Sequence, residues 1–433
     1  MTCISHDDLH HAIHEGNISL VEEILQQDNK LNLLYAKKLC QTSLHIATSQ
    51  DNANIVKIIL AAAEDKAQEL LSIRDEHGFT ALGLAIVNGS VDIVQAMLSA
   101  EDVDAMTLSQ MAQKGYTPLH IAAVRTDADT IENKVVIAKL ILSAVGDKAT
   151  ELLEIQNENS NTALELAIYH NMQDIIKVML SAEGVDSMKL LQTQQTSSLQ
   201  FGVATLYTPL HLAASQGSTD IVKEMLAVAG DKAIELLKTQ DKYGYTPLRT
   251  AVAKGDAEIV KAMLSAAGDQ AIELLKMQSN CSDMPFHIAV SQGRTDIVKE
   301  MLAVAGDKAI ELLKTQNKYD DTPLRTAVAK EDADVVKAIV SATDDKAAAL
   351  LEIKDKDGKA PLRMAIEKGY TNIVETTQEQ TDTINLFYTS DHSAQIEQAI
   401  SYNTQPQSQD NARSILDEQE HYDDSDVLLH YDL

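Results

Sequence analysis

The stretch TDIVKEMLAVAGDKAIELLKTQ occurs twice without a change, over 219–240 and again over 295–316. It sits inside a longer periodicity. A tetrapeptide of one kind recurs as TSLH at Thr42, TALG at Thr80, TPLH at Thr117, TALE at Thr162, TPLH at Thr208, TPLR at Thr246, MPFH at Met284, TPLR at Thr322 and APLR at Ala360. From Thr208 onward the interval is 38 residues every time. A constant period of this size dictates stacked supersecondary units, none of which can bury its apolar face without a neighbouring copy.

The unit TPLHLAASQGSTDIVKEMLAVAGDKAIELLKTQDKYGY shows how each copy should fold. Thr208 is placed to accept bonds from the first free amides of a helix, and Pro209 suits its first position because it has no N–H to leave unpaired. Leu210, Ala213 and Ala214 form a narrow apolar stripe, and Gly217 stops the helix in a left-handed turn. A second helix starts near Thr219 or Asp220 and carries Ile221, Val222, Met225 and Leu226 on one face. Gly230 ends it, Asp231 offers another cap, and KAIELL reads as a short third helix before the turn DKYGY. Composition agrees: 45% of residues are hydrophobic but only 4% aromatic, without a tryptophan, which suits close-packed small-residue helices better than sheets.

These residues resemble the ankyrin repeat, in which T-P-L-H opens the first helix, A-A precedes a helix-ending glycine, I-V then L lie on the second helix, and D-x-x-G-x leads into the next T-P-L-H. The resemblance covers roughly Asp7 to Thr376. It implies an all-α solenoid of stacked helix pairs joined by β-turn fingers. It also implies that His45, His120, His211 and His287 hydrogen-bond neighbouring turns together. Gly83, Glu165, Arg249, Arg325 and Arg363 stand at that position in other units, so the histidine network should be interrupted there. The arginines at 249, 325 and 363 would meet acidic groups, of neighbouring repeats in the first instance or else of a ligand.

The chain departs from the family in length. An ankyrin unit is about 33 residues, and the surplus here lies in GDKAIELLKTQ, which predicts a short extra helix per repeat and weaker hairpin character in the fingers. Two insertions break the period, RTDADTIENK in the unit opening at Thr117 and QTQQTSSLQFGVAT between Leu191 and Tyr207. Each is read either as a binding loop or as a tolerated surface insertion. Residues 208–283 and 284–359 align as two repeat pairs, so tandem duplication of a two-repeat block is the simplest origin of the verbatim copy. The copies differ mainly in their fingers, QDKYGY against QNKYDD and MQSNCSD against IKDKDGK.

The predicted layout is an N-terminal capping repeat over 1–41, an array over 42–376 of nine T-P-L-H-type units with the last incomplete, an irregular C-terminal cap over 377–402 and an acidic, disordered tail over 403–433. In the first repeat Asp7 or Asp8 is the expected cap, Gly16 the stop, and Val21, Ile24 and Leu25 the buried face. His6, His10 and His14 lie four apart; a solvated helix face explains them more simply than a metal site. In the last repeat Thr376, Thr377 and Gln378 replace apolar positions. The tail carries DSDVLL, of the acidic dileucine kind, and ends in HYDL, a terminus of the kind that carboxylate-binding grooves accept.

A formal charge of −29 argues against nucleic acid and favours a protein partner with a basic surface. Cys3, Cys40 and Cys281 are too few and too scattered for a disulfide framework or a zinc site. No cofactor is implied. No secretory signal and no apolar run long enough for a membrane span is visible, so a soluble, cytoplasmic monomer is expected. No nucleotide, hydrolase, zincin or kinase motif occurs, and the chain is read as a non-enzymatic scaffold binding through the concave face and finger tips. The candidate contacts are His77, Phe79, Tyr116, Tyr243, Tyr245 and Tyr319, aromatic side chains that anchor well at small rotamer cost; some of them would instead cover the apolar edge of the next unit. The alternative is a targeting arm for an enzymatic activity in the C-terminal region. The 38-residue units are also similar to ankyrin arrays of bacteria that live in host cells, which implies, as a second localisation, export into a host without a cleavable signal.

Overall fold

A computed structural model of the chain describes residues 5–37, 41–101, 104–105, 115–124, 128–197, 205–280, 282–343 and 346–380. The three cysteines, most of the predicted C-terminal cap and the whole tail, with its DSDVLL and HYDL motifs, lie outside the described residues. The chain falls into two compact bodies, Met1–Asp241 and Lys242–Leu433.

Within each body the same helix pair recurs. In the first body the first helices, His6–His14, Ser43–Ser49, Ala81–Asn88, Pro118–Ala123, Ala163–Tyr169 and Pro209–Gln216, pack one on the next. Their partners Ile18–Leu25, Ala53–Ala63, Val91–Leu98, Ala128–Val145, Gln173–Ser181 and Thr219–Ala229 form a parallel row. The second body repeats the pattern with Pro247–Lys254, Pro285–Ser291, Pro323–Ala329 and Pro361–Lys368 against Ala257–Ala267, Thr295–Ala305, Ala333–Thr343 and Thr371–Gln380.

The Thr208 unit follows its sequence closely. Thr208 accepts the His211 amide at 3.4 Å through its hydroxyl, and Gly217 closes the helix at φ 74°. The second helix buries Ile221, Val222, Met225 and Leu226. Asp231, however, makes no capping bond. It lies inside a 3-10 turn, Gly230–Lys232, and the backbone of Gly230 makes the change of direction at φ 52°, ψ −127°. The third helix, Ala233–Lys238, then buries Ala233, Leu236 and Leu237. Each buried leucine is worth about 1.5–3 kcal/mol, so the surplus residues stabilise the stack instead of looping out. The copy at Thr295–Ala305 buries Ile297, Val298, Met301 and Leu302, the same four positions.

The described parts of the two insertions form regular structure. The second helix of the Thr117 unit, Ala128–Val145, is 18 residues long, against 11 in Ala53–Ala63 and Thr219–Ala229. The inserted residues extend its start. Lys134, fully buried, reaches back from this extension to the Val124 carbonyl at 2.9 Å and the Ile121 carbonyl at 3.5 Å. Both carbonyls lie at the end of helix Pro118–Ala123, which no glycine closes; Ile121 O also accepts the Val124 amide at 3.4 Å. Burial lowers the Lys134 pKa. In the second insertion Gln195–Ser197 pairs antiparallel with Thr205–Tyr207, Gln195 opposite Tyr207. Weak hairpin character holds for the short fingers, which show isolated bridges such as Arg74 with Thr80 and Gln156 with Thr162. The longer finger has enough chain for a ladder.

The first helix corrects two expectations. Its cap is Ser5, whose hydroxyl accepts the Asp8 amide at 3.4 Å while the Asp8 carboxylate accepts the Ser5 amide at 2.7 Å. Asp8 thus stands at the third helical position of a capping box, where its carboxylate completes the box; the Ser5 bonds lower its pKa. His10 is buried, not solvated, with His6 edge-on to it at 5.7 Å, whereas His14 is exposed. Among the described residues no group of three or more His, Cys, Asp or Glu is arranged to hold a metal ion. No helix of the described residues is long and apolar enough to cross a membrane. Helix Thr371–Gln380 runs past Thr376, with Ile373, Val374 and Thr377 buried.

Candidate partner-binding surface

An aspartate or asparagine grips four of the described fingers, at 75, 157, 317 and 355, whereas the 279–283 finger opens on Ser279. Asp75 donates its amide to the Phe79 carbonyl at 2.9 Å, and its carboxylate accepts the amides of His77 and Phe79 at 2.9 and 2.8 Å. Asn157, Asn317 and Asp355 grip their fingers in the same way. The fourth finger residue is left-handed, Gly78 at φ 81° and Asp320 at φ 61°. The third side chain is thrown outward and the fifth folds back.

This geometry divides the six candidate contacts. His77, Tyr243 and Tyr319 occupy third positions and are exposed, the two tyrosines by 40% and 46%. Lys242 and Lys318 sit 4.8 Å above their rings. Phe79, Tyr116 and Tyr245 occupy fifth positions and are half-buried. Each lies on the residue four places on: Phe79 against Gly83, Tyr116 with its ring 5.8 Å from that of His120, and Tyr245 under the Arg249 guanidinium at 3.3 Å. They cover the bases of the fingers. Neighbouring fingers meet closely at Gly244, φ 77°, where a Cβ would stand 3.0 Å from the Asn280 amide, which donates to Tyr243 O at 3.0 Å.

Below the fingers runs the row of residues at the fourth position of each tetrapeptide. Nδ1 of His120 lies 2.8 Å from the Thr117 hydroxyl and accepts the Thr117 amide at 3.1 Å, so its Nε2–H donates to Asn161 O at 2.9 Å in the next finger. His45 reaches Phe79 O at 3.2 Å and His287 reaches Asp321 O at 3.0 Å. Burial lowers the pKa of all three against the favourable carbonyl bond, that of His120 to about 4. They are neutral struts.

Where histidine is replaced, the joint changes character. Glu165, buried, turns its carboxylate back on its own cap, accepting the Thr162 amide at 2.8 Å, and burial raises its pKa to about 7. At Gly83 the space is taken by Phe79 and Ile121. Arg325 forms an ionic joint: Nε lies 2.8 Å from the Asp321 carboxylate, and Nε and Nη2 donate to Asp355 Oδ2 at 2.9 and 2.7 Å. Burial raises the Asp355 pKa, but the Lys359 amide and then Arg325 outweigh it, and the net value is lowered. Arg363 is exposed and pairs with Glu367 at 2.8 Å. Arg249 stacks on the Tyr245 ring, and among the described residues its buried Nε has no hydrogen-bond partner. Sequence reasoning missed Lys134 and the Asp321–Arg325–Asp355 joint; for the latter, the aspartate four residues before the arginine was the available signal.

Repeated capped helix pairs, finger grips and histidine struts define a helical repeat array of the ankyrin class. The family model of ankyrin repeats matches residues 9–107, 182–273 and 286–378, well over half of the chain. The chain belongs to the ankyrin repeat family. It is 28% identical over 124 residues to the ankyrin repeat and SAM domain-containing protein 6 of Rattus norvegicus, a match spanning 28% of this chain and 13% of that protein.

Proposed function

We propose that this chain is a non-enzymatic scaffold that binds a protein partner through its finger tips and the adjoining face of its first helices, as ankyrin repeats generally do. The observation that supports this best is the exposure of Tyr243 and Tyr319, which the finger geometry turns outward and no core requires. The charge of −29 favours a partner with a basic surface, whose capture weakens with salt. Affinity capture from cell lysate is expected to recover the same proteins with the full chain and with a chain ending at Gln380. The triple variant H77A/Y243A/Y319A, folded by circular dichroism, should lose them. Unchanged recovery by the folded triple variant would count against the tips, and loss on truncation would move binding into the tail.

The similarity of the 38-residue units to arrays of host-associated bacteria supports a host protein as that partner, reached by export. A reporter fused to the intact chain is then expected to appear in host cells. Retention of the fusion inside the producing cell would sink this localisation in favour of a cytoplasmic one.

A further inference from the structure

The duplicated block places arginine at the same point twice, and the two copies differ in what they hold. Arg325 is clasped by Asp321, four residues before it, and by Asp355, the first residue of the next finger. At the equivalent positions Arg249 has Tyr245 and Ser279, neither of which carries a charge. Arg249 is only 9% exposed, and its Nε is buried with no hydrogen-bond partner. Its planar group lies 3.3 Å over the Tyr245 ring, whose centroid is 5.6 Å from that of Tyr243, and Lys242 stands over Tyr243. Asp283, the acidic residue of the neighbouring finger, acts on His287 of its own repeat. A guanidinium is built to hold a carboxylate through two parallel N–H bonds, and a buried one without a partner is costly to maintain.

We propose that Arg249 is a carboxylate-anchoring site: an aspartate or glutamate side chain of the bound protein enters at the base of the 242–245 finger, takes the place that Asp355 fills for Arg325, and lies beside the wall made by Tyr243 and Tyr245. This rests on the scaffold reading and deepens it. The ring–cation ladder from Lys242 to Arg249 is a cationic patch on an acidic chain, so the partner it fits is basic overall with one projecting acid. In the sister finger Asp320 and Asp321 leave no such demand.

The full chain carrying 15N-labelled arginine tests the site directly. N-acetylglutamate is expected to shift the Arg249 Nε–H resonance saturably and to leave that of Arg325 unmoved. Ser279→Asp, which supplies the carboxylate from within, should abolish the shift. No saturable shift at Arg249, or an unchanged one in Ser279→Asp, overturns the proposal; a much tighter response to inorganic phosphate reassigns the site to phosphoryl groups and overturns it equally. In affinity capture, Ser279→Asp and Arg249→Met should each weaken partner binding by about 10- to 100-fold, the worth of a charge-assisted bond. If both bind as the parent does while H77A/Y243A/Y319A loses the partner, the anchoring site fails and the scaffold stands. If the resonance shifts but no variant affects capture, Arg249 takes small carboxylates without anchoring the partner, and both the proposal and the finger-tip reading are overturned.

Discussion

Replacing Asp355 by alanine is expected to destabilise the second body by about 3–5 kcal/mol, the range for breaking a buried ion pair from one side. The carboxylate carries two loads. Oδ2 holds the Arg325 guanidinium, and Oδ1 accepts the amides of Asp357 and Lys359 at 2.9 and 2.8 Å to shape its own finger. Alanine removes both and leaves Arg325 with Asp321 alone. Asp355→Asn separates them, because Asn157 and Asn317 show that an amide oxygen grips a finger equally well. Its cost is therefore expected to be about 1–3 kcal/mol, that of a lost charge-assisted hydrogen bond. Denaturant unfolding of the three proteins checks the order, and equal losses for alanine and asparagine would show that the finger grip contributes nothing.

Glu165→Gln should raise stability in alkaline buffer and flatten its dependence on pH. Burial raises the Glu165 pKa from 4.5 to about 7, so between those values the folded chain holds a proton that the unfolded chain releases. The stabilisation is complete below pH 4.5 and is lost as pH rises to about 7. At 1.36 kcal/mol per unit a rise from 4.5 to about 7 amounts to about 3 kcal/mol. Glutamine keeps the bond to the Thr162 amide, as capping boxes permit, without a charge to bury. Unfolding measured from pH 4 to 8 should therefore diverge from the parent above pH 5 and stay separated at pH 8; parallel curves would mean that Glu165 is ionised at no cost. His120 works in the opposite sense. Its pKa falls from 6.5 to about 4, so its contribution is present above pH 6.5 and lost on acidification. Adjacent repeats thus oppose each other where their windows overlap.

The period and the caps of Thr208, Thr117 and Thr162 were legible because each depends on residues within one turn of the chain. The third helix was equally plain, since KAIELL places Ala233, Leu236 and Leu237 on one face. What escaped is set by distance in sequence. Nothing local marks Lys134 as the closure of a helix ten residues earlier, nor Asp355 as the partner of Arg325. The cap at Ser5 was missed for a different reason: Asp7 and Asp8 are equally good capping types, and only the register of the first turn decides among them. The six candidate residues lie in the fingers, but the split between outward third and folded-back fifth positions follows from a left-handed fourth residue, which Ser160 and Asp320 adopt without glycine.

The verbatim copy also bears on inheritance. Helices Thr219–Ala229 and Thr295–Ala305 bury equivalent residues, and in both blocks a repeat with histidine at the fourth tetrapeptide position is followed by one with arginine there. Two nearly identical stretches of gene invite unequal recombination, and the exchange would add or remove one whole histidine–arginine pair of repeats. Every apolar face in the lengthened or shortened array would still meet the face it meets now. For such a lineage, reach is a quantity that can be adjusted in a single genetic event, while the recognition residues in the fingers diverge afterwards, copy by copy.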